Sequence, residues 1–155
     1  MKKSLRVSLR KANFRDIEFL WYLRNQADVF KYSITNKKIG WEEHVNWIVP
    51  IILGFSNREL FVIESFKNPI GQIRLDYKEN KEVEISISIL KEFRGKGFAK
   101  EALSLVIKKI RKNKRIKLII ATIHKSNIAS RNFFEKFSFE LKKEKKYYQT
   151  YIFKL

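Results

Sequence analysis

Between residues 82 and 90 the chain alternates without a break: Val83, Ile85, Ile87 and Ile89 are apolar, and Glu84, Ser86 and Ser88 between them are polar. A period of two predicts a strand with one face in a core and the other face polar. Further β-rich runs at 4–9, 60–65 and 69–77, with Asn68-Pro69 and residues 78–81 as turns, predict a first strand and then a three-strand meander. A helical period takes over between and after them. Asn13 is placed to cap a helix through residue 23 with Ile17, Leu20, Trp21 and Leu23 as its apolar face, and a second helix spans 41–48, ended or bent by Pro50. Ala102, Leu103, Val106, Ile107 and Ile110 recur at helical spacing over 98–112. A strand at 116–123, a helix at 128–137 and strands at 139–143 and 147–154 complete the order βααβββαβαββ. No repeat or low-complexity linker interrupts it, which predicts one domain over 1–155.

The junction at 94–99 reads Arg94, Gly95, Lys96, Gly97, Phe98, Ala99. Two residues without a Cβ let the backbone take positive φ and approach a ligand, and Arg94 and Lys96 add positive charge. A helix beginning at Phe98 turns its unpaired N–H groups and positive dipole end toward the loop, so strand, loop and helix together suit a phosphate chain. A solvated basic turn is the plainer alternative. The loop is not a Walker loop, because no Lys-Ser/Thr pair follows, and GxGxxG is incomplete.

A second segment follows at 116–139: an apolar strand, Asn127 as the N-cap of a helix, Ser130, Phe133, Phe134, Lys136 and Phe139. The two motifs in this order resemble the GNAT superfamily of N-acetyltransferases, with its Gln/Arg-x-x-Gly-x-Gly/Ala loop and its Asn-x-x-Ser-x-x-hydrophobic-Tyr-x-Lys-x-Gly-Phe helix. The likeness covers nearly the whole chain. It implies an α/β (α+β) GNAT fold: a central mixed, mostly antiparallel sheet splayed between the fourth and fifth strands, with helices on both faces. It also implies acetyl-CoA as co-substrate, held by Ile89, Leu90, Arg94, Gly95, Lys96, Gly97, Phe98, Ala99, Asn127, Ser130, Phe133, Phe134 and Lys136. A backbone N–H near Ile89 would hold the thioester carbonyl.

The chain departs from that pattern where the family's proton-donating Tyr stands: the residue is Phe134, and Ser138 replaces a Gly. Another donor, among Ser130, Tyr147, Tyr148, Tyr151 and water, would have to protonate the leaving thiolate, or turnover depends little on acid catalysis. For a base, Glu84 on the polar strand face and His124 at the end of the following strand are equal candidates. A solvated carboxylate beside Lys81 and a strand-ending histidine are the plainer readings.

Composition narrows the chemistry. The chain has 155 residues, no cysteine and two histidines, which excludes disulfides and a thiol nucleophile and argues against a metal. No apolar run has the length of a membrane helix, and the basic N-terminus lacks a signal-peptide core, so a cytoplasmic protein without membrane contact is expected. The net charge of +18 raises nucleic acid as a partner. The basic residues are spread along the chain without a helix-turn-helix, zinc finger or RNA-binding aromatic signature, which argues against it. The same charge attracts acidic small molecules, coenzyme A and nucleotide sugars among them. A monomer or homodimer is expected.

The acceptor side lies in the N-terminal half. Leu23-Arg24-Asn25, Val29-Phe30-Lys31 and Trp41-Glu42-Glu43-His44 with Trp47 are similar to the sugar-nucleotide acetyltransferases of pseudaminic acid synthesis. That likeness implies acetylation of the 4-amino group of a UDP-linked deoxy sugar, with Arg24, His44, Trp47 and Ser86 as substrate-binding residues. Arg24 could pair with phosphate and His44 hydrogen-bond phosphate or sugar. The spacing of three between Trp41, His44 and Trp47 fits a core helix with a satisfied histidine equally well. Ribosomal-protein N-terminal acetyltransferases carry a looser form of the same pattern and give the main alternative function; a basic nucleic-acid-binding module is the other.

Overall fold

The computed structural model describes residues 6–155; the first two residues of the predicted opening strand lie outside them. The elements are β1 (Val7–Lys11), α1 (Ile17–Arg24), α2 (Ala27–Phe30), α3 (Trp41–Ile52), β2 (Arg58–Ser65), β3 (Asn68–Tyr77), β4 (Glu82–Ile89), α4 (Phe98–Lys112), β5 (Leu118–His124), α5 (Ile128–Lys136), β6 (Glu140–Glu144) and β7 (Tyr148–Lys154). The strands form one sheet in the order β1-β2-β3-β4-β5-β7-β6, antiparallel throughout except for β4 against β5.

The alternation read from the sequence decides which face meets which helices. Val83, Ile85 and Ile89 of β4, with Ile73 and Leu75 of β3 and Ile119, Ala121 and Ile123 of β5, share a buried cluster with Ala102, Leu103, Val106, Ile107 and Ile110 of α4 and Phe134 of α5. Leu60 of β2 joins a second cluster with Leu20 of α1 and with Ile48 and Ile51 of α3. Helices therefore cover both faces. Gln72 and Arg74 of β3, Ser86 and Ser88 of β4, and Thr122 and His124 of β5 alternate with the first cluster and look toward the α1 side.

Three differences from the predicted elements fall in the N-terminal helices. The first helix opens with a 3-10 turn at Phe14–Asp16, where Asn13 and Asp16 form a reciprocal capping box: Arg15 N–H donates to Asn13 Oδ1 at 2.9 Å and Asn13 N–H to Asp16 Oδ2 at 2.8 Å. A one-turn helix, α2, follows α1; four residues carry too little periodicity to be read from sequence. Pro50 lies inside α3, which runs on to Ile52. It occupies an exposed position in the last turn, where Leu53 N–H to Val49 O at 3.0 Å and Phe55 N–H to Pro50 O at 2.9 Å close the helix end around it.

His44 belongs to this packing. Its side chain is 1% exposed and its Nε2 lies 2.9 Å from Ile17 O, so the neutral ring donates to α1. Nδ1 is buried without a partner. Burial, and secondarily the nearby Arg24 charge, holds its pKa below the ordinary histidine value. The unfolded chain then binds the extra proton, so His44 costs stability as pH falls through its unfolded value of about 6.5 toward the lower folded one. Urea midpoints at pH 7.5 and 5.5 should show a fall that His44→Leu largely removes; an equal fall in both proteins would contradict this role.

Candidate active site

β4 and β5 pair only at Glu82, Val83 and Glu84, opposite Leu118, Ile119 and Ile120, and then separate. The backbone that this frees follows from the other edge of β4. Leu90 N–H donates to Ile70 O at 2.9 Å, so the even-numbered residues of β4 turn their backbone groups to β3. Ile87 and Ile89 therefore direct their N–H groups into the gap. Around that gap lies a cavity of about 780 Å³ that reaches from Arg24 and Tyr32, past Ser86, Ser88 and Thr122, to Gly95, Gly97 and Asn127.

At the β4 end the loop behaves as its residues predict. Gly95 and Gly97 sit at φ +70° and +91°, the left-handed region that a side chain disfavours. Gly97 is the N-cap of α4, no side chain caps the helix, and the first intrahelical bond is Glu101 N–H to Gly97 O at 3.1 Å. The N–H groups of Phe98, Ala99 and Lys100 are thus left facing the loop. Arg94 donates from Nε to Ile89 O at 2.8 Å and forms an ion pair with Asp28 of α2. Across the gap Asn127 caps α5, its Oδ1 accepting from Ser130 N–H at 3.2 Å.

Of the expected coenzyme residues, Ile89, Arg94, Gly95, Gly97, Phe98, Ala99, Asn127, Ser130, Phe133 and Phe134 line the cavity. Three do not. Leu90 has its N–H engaged by Ile70, Lys96 turns back to donate to Glu92 O at 2.7 Å, and Lys136 lines a separate hollow between α4 and α5. Phe134 is buried against Phe133 and Phe139 and presents no proton to the gap. Among the four hydroxyl residues considered in its place, Ser130 lines the cavity, Tyr147 is exposed, and the Tyr148 and Tyr151 hydroxyls donate to Ser33 O at 3.4 Å and Glu135 at 2.9 Å.

The two base candidates separate. Glu84 lies at the closed end of the gap, outside the cavity lining, with Lys78 Nζ 3.2 Å from its carboxylate. His124 lines the cavity between the rings of Tyr32 and Tyr148. Its Nδ1 is engaged by Ser126, accepting from the backbone N–H at 3.2 Å and lying 2.6 Å from Oγ, which leaves Nε2 as the ring nitrogen without a partner among the described residues.

Of the substrate residues, Arg24 and Ser86 line the cavity and His44 and Trp47 do not. Burying His44 beneath α1 removes it from any ligand. Asn25 and Trp41, from the same motifs, hold the scaffold: Asn25 exchanges hydrogen bonds with Ile39 N and O at 2.8 and 3.0 Å, and the Trp41 ring meets Trp21 edge-on at 5.5 Å. Sequence reasoning missed Gln72 and Arg74, which join the cavity from β3. The signal was there as Gln72 and Arg74 alternating with Ile73 and Leu75 along the strand.

Among the described residues no cluster of three or more His, Cys, Asp or Glu could hold a metal, and no helix is long and apolar enough to cross a membrane. No curated protein matches the chain. Solved structures share its fold. A domain from Methanocaldococcus jannaschii is 25% identical, with TM-score 0.86 over 98% of this chain and 100% of that one. Spermidine N-acetyltransferase from Vibrio cholerae, solved with CoA and spermine, is 18% identical, with TM-score 0.85 over 96% and 95%. The Salmonella typhimurium acetyltransferase that modifies the N-terminal serine of ribosomal protein L7/L12 is 16% identical, with TM-score 0.83 over 99% and 96%. The family model described as an acetyltransferase (GNAT) domain matches residues 6–140. With that match over most of its length, its mixed sheet opened between β4 and β5 and its glycine loop on α4, the chain belongs to the GNAT acetyltransferases, enzymes that use acetyl-CoA.

Proposed function

We propose that the protein transfers acetyl from acetyl-CoA to a primary amine on a nucleotide-linked amino sugar, the 4-amino group of a UDP-linked deoxy sugar being the first candidate. The observation that carries this reading is the sign of the charge on the acceptor side of the gap. Arg24, Lys31 and Arg74 line it, and the carboxylate there, Asp28, is engaged by Arg94. A wall of that sign repels a polycation such as a polyamine and attracts a diphosphate. The relatives that act on spermidine or a ribosomal-protein N-terminus share the fold and leave the acceptor open.

In this reading the coenzyme diphosphate lies on the Gly95–Gly97 loop and the free N–H groups of α4, and its pantetheine arm runs along β4. The N–H groups of Ile87 and Ile89 donate to the groups of that arm and to the thioester oxygen as it gains charge. The acceptor amine, neutral and held on the Ser86 and Ser88 side, attacks the carbonyl carbon, the C–S bond breaks, and its surplus proton leaves through water. Ser130, a hydroxyl residue of the cavity lining, protonates the thiolate in this reading, since Phe134 has no proton to give. The thiolate is a good leaving group, so a weak donor suffices.

Release of free coenzyme A, followed with UDP-linked 4-amino-4,6-dideoxy sugars, spermidine and ribosomal N-terminal peptides as alternative acceptors, tests the reading. Turnover is expected on the sugar nucleotide and at least tenfold less on the other two. Turnover on peptide or spermidine alone would overturn it.

A further inference from the structure

The cationic groups on the acceptor side are not evenly matched by acids. Arg24, at the end of α1, makes no ion pair or side-chain hydrogen bond among the described residues. Burial, and then the charge of Arg74, lowers its pKa, with Glu43 offsetting part of that. Arg74 projects from β3 beside Ser86, its partner across the β3–β4 pairing. Its guanidinium lies over the Trp47 ring, 5.9 Å from the centroid, on the α3 side. Its one acid, Asp76, is shared: Asp76 Oδ1 accepts a hydrogen bond from Arg58 Nε at 3.1 Å and lies 3.1 Å from Arg74 Nε. The second contact is an ion pair without hydrogen-bond alignment, and Arg74 Nε–H is buried with no acceptor.

Two arginines thus line one cavity, one with no acid of its own and the other with part of one. Like charges held together in a partly desolvated wall repel each other unless an anion is brought between them. Guanidinium forks match phosphate oxygens in pairs, which favours a phosphate over a chloride or a lone water. The coenzyme's own diphosphate has its place at the Gly95–Gly97 loop before α4. Gln72 and Ser88, paired across β3 and β4 on the same face, supply neutral hydrogen-bonding groups between the two places.

We infer that Arg24 and Arg74 form an anion clamp for a phosphate group of the acceptor, separate from the coenzyme's phosphate site, and that this clamp sets specificity for phosphate-bearing amines. The identity of the phosphate as a nucleotide diphosphate rests on the reading above; the clamp itself rests on the two arginines. Trp47, on this account, serves the acceptor through Arg74 and touches no ligand.

The test is titration of the coenzyme A-saturated protein with UDP and, separately, with inorganic pyrophosphate, for wild type, Arg24→Gln, Arg74→Gln and Arg74→Lys. Saturation with coenzyme A blocks the other phosphate site, and an unchanged coenzyme A affinity in each variant shows that the fold is kept. Both probes should bind wild type, each Gln variant should weaken them at least tenfold, and Arg74→Lys should recover part of the loss. Pyrophosphate binding that needs both arginines, with UDP no tighter, would uphold the clamp and overturn the nucleotide reading. Failure of both probes to bind, or binding indifferent to all three variants, would overturn the clamp even if sugar nucleotides prove to be substrates.

Discussion

Replacing Gly97 by glutamate is expected to abolish measurable acetyl-CoA binding and to lower kcat/KM by at least about 100-fold, which corresponds to roughly 2.7 kcal/mol. Two effects add. Gly97 holds φ at +91°, where a residue with a Cβ is strained by about 1–2 kcal/mol. The new carboxylate also sits at the N-terminus of α4, where it takes the place of the diphosphate on the helix N–H groups and repels it. Gly95→Ala is the milder comparison. Its φ is +70°, but an added Cβ meets nothing within 4 Å, so a few-fold loss of affinity is expected there. Isothermal titration with coenzyme A measures both variants. Unchanged affinity in Gly97→Glu would mean that the coenzyme phosphates lie elsewhere.

A second large effect is expected far from the loop in sequence. Gly71 of β3 packs under β4 so closely that a Cβ would lie 2.4 Å from Ser88 O and 3.1 Å from Ile89 Cα. Both neighbours are backbone, so neither can rotate away and β4 must shift bodily. Ser88 and Ile89 line the cavity, and Ile89 O accepts from Arg94. Gly71→Ala should therefore do two things at once. It should destabilise the fold by about 1–3 kcal/mol, as overpacking does, read from the urea midpoint. It should also weaken coenzyme A binding about tenfold at a temperature where the variant is still folded. Destabilisation with coenzyme affinity intact would show that β4 does not position the coenzyme.

How much of this was readable beforehand differs along the chain for physical reasons. The alternation of β4 and the α4 face were legible because each buries a single side, so the period survives in the sequence. The Gly95–Gly97 loop was legible because its conformation admits few other residues. Arg74 was not, because whether a polar residue on a strand faces water or a cleft depends on which strands pair with that strand and which part, and the parting of β4 from β5 is tertiary. His44 shows the opposite failure: a motif match proposed it for ligand binding, while its helical spacing with Trp41 and Trp47 already described a core residue, and the structure places it there. The short α2 escaped for want of length. Glu84 and His124 looked equivalent as bases, and it takes the pairing of Glu84 with Ile120 at the closed end of the gap, a tertiary feature, to leave Glu84 outside the cavity that His124 lines.

The mechanism requires acetyl-CoA to enter the parting of β4 and β5 with its diphosphate on the loop before α4. Backbone amide shifts of the 15N-labelled protein, followed by NMR as acetyl-CoA is added, test it residue by residue. The largest changes are expected at Ile87, Ile89 and residues 95–100, with Asn127 and Ser130 following across the gap. Changes confined to other surfaces, such as the hollow between α4 and α5 around Lys108 and Arg111, with Ile87, Ile89 and Gly97 unmoved, would contradict it.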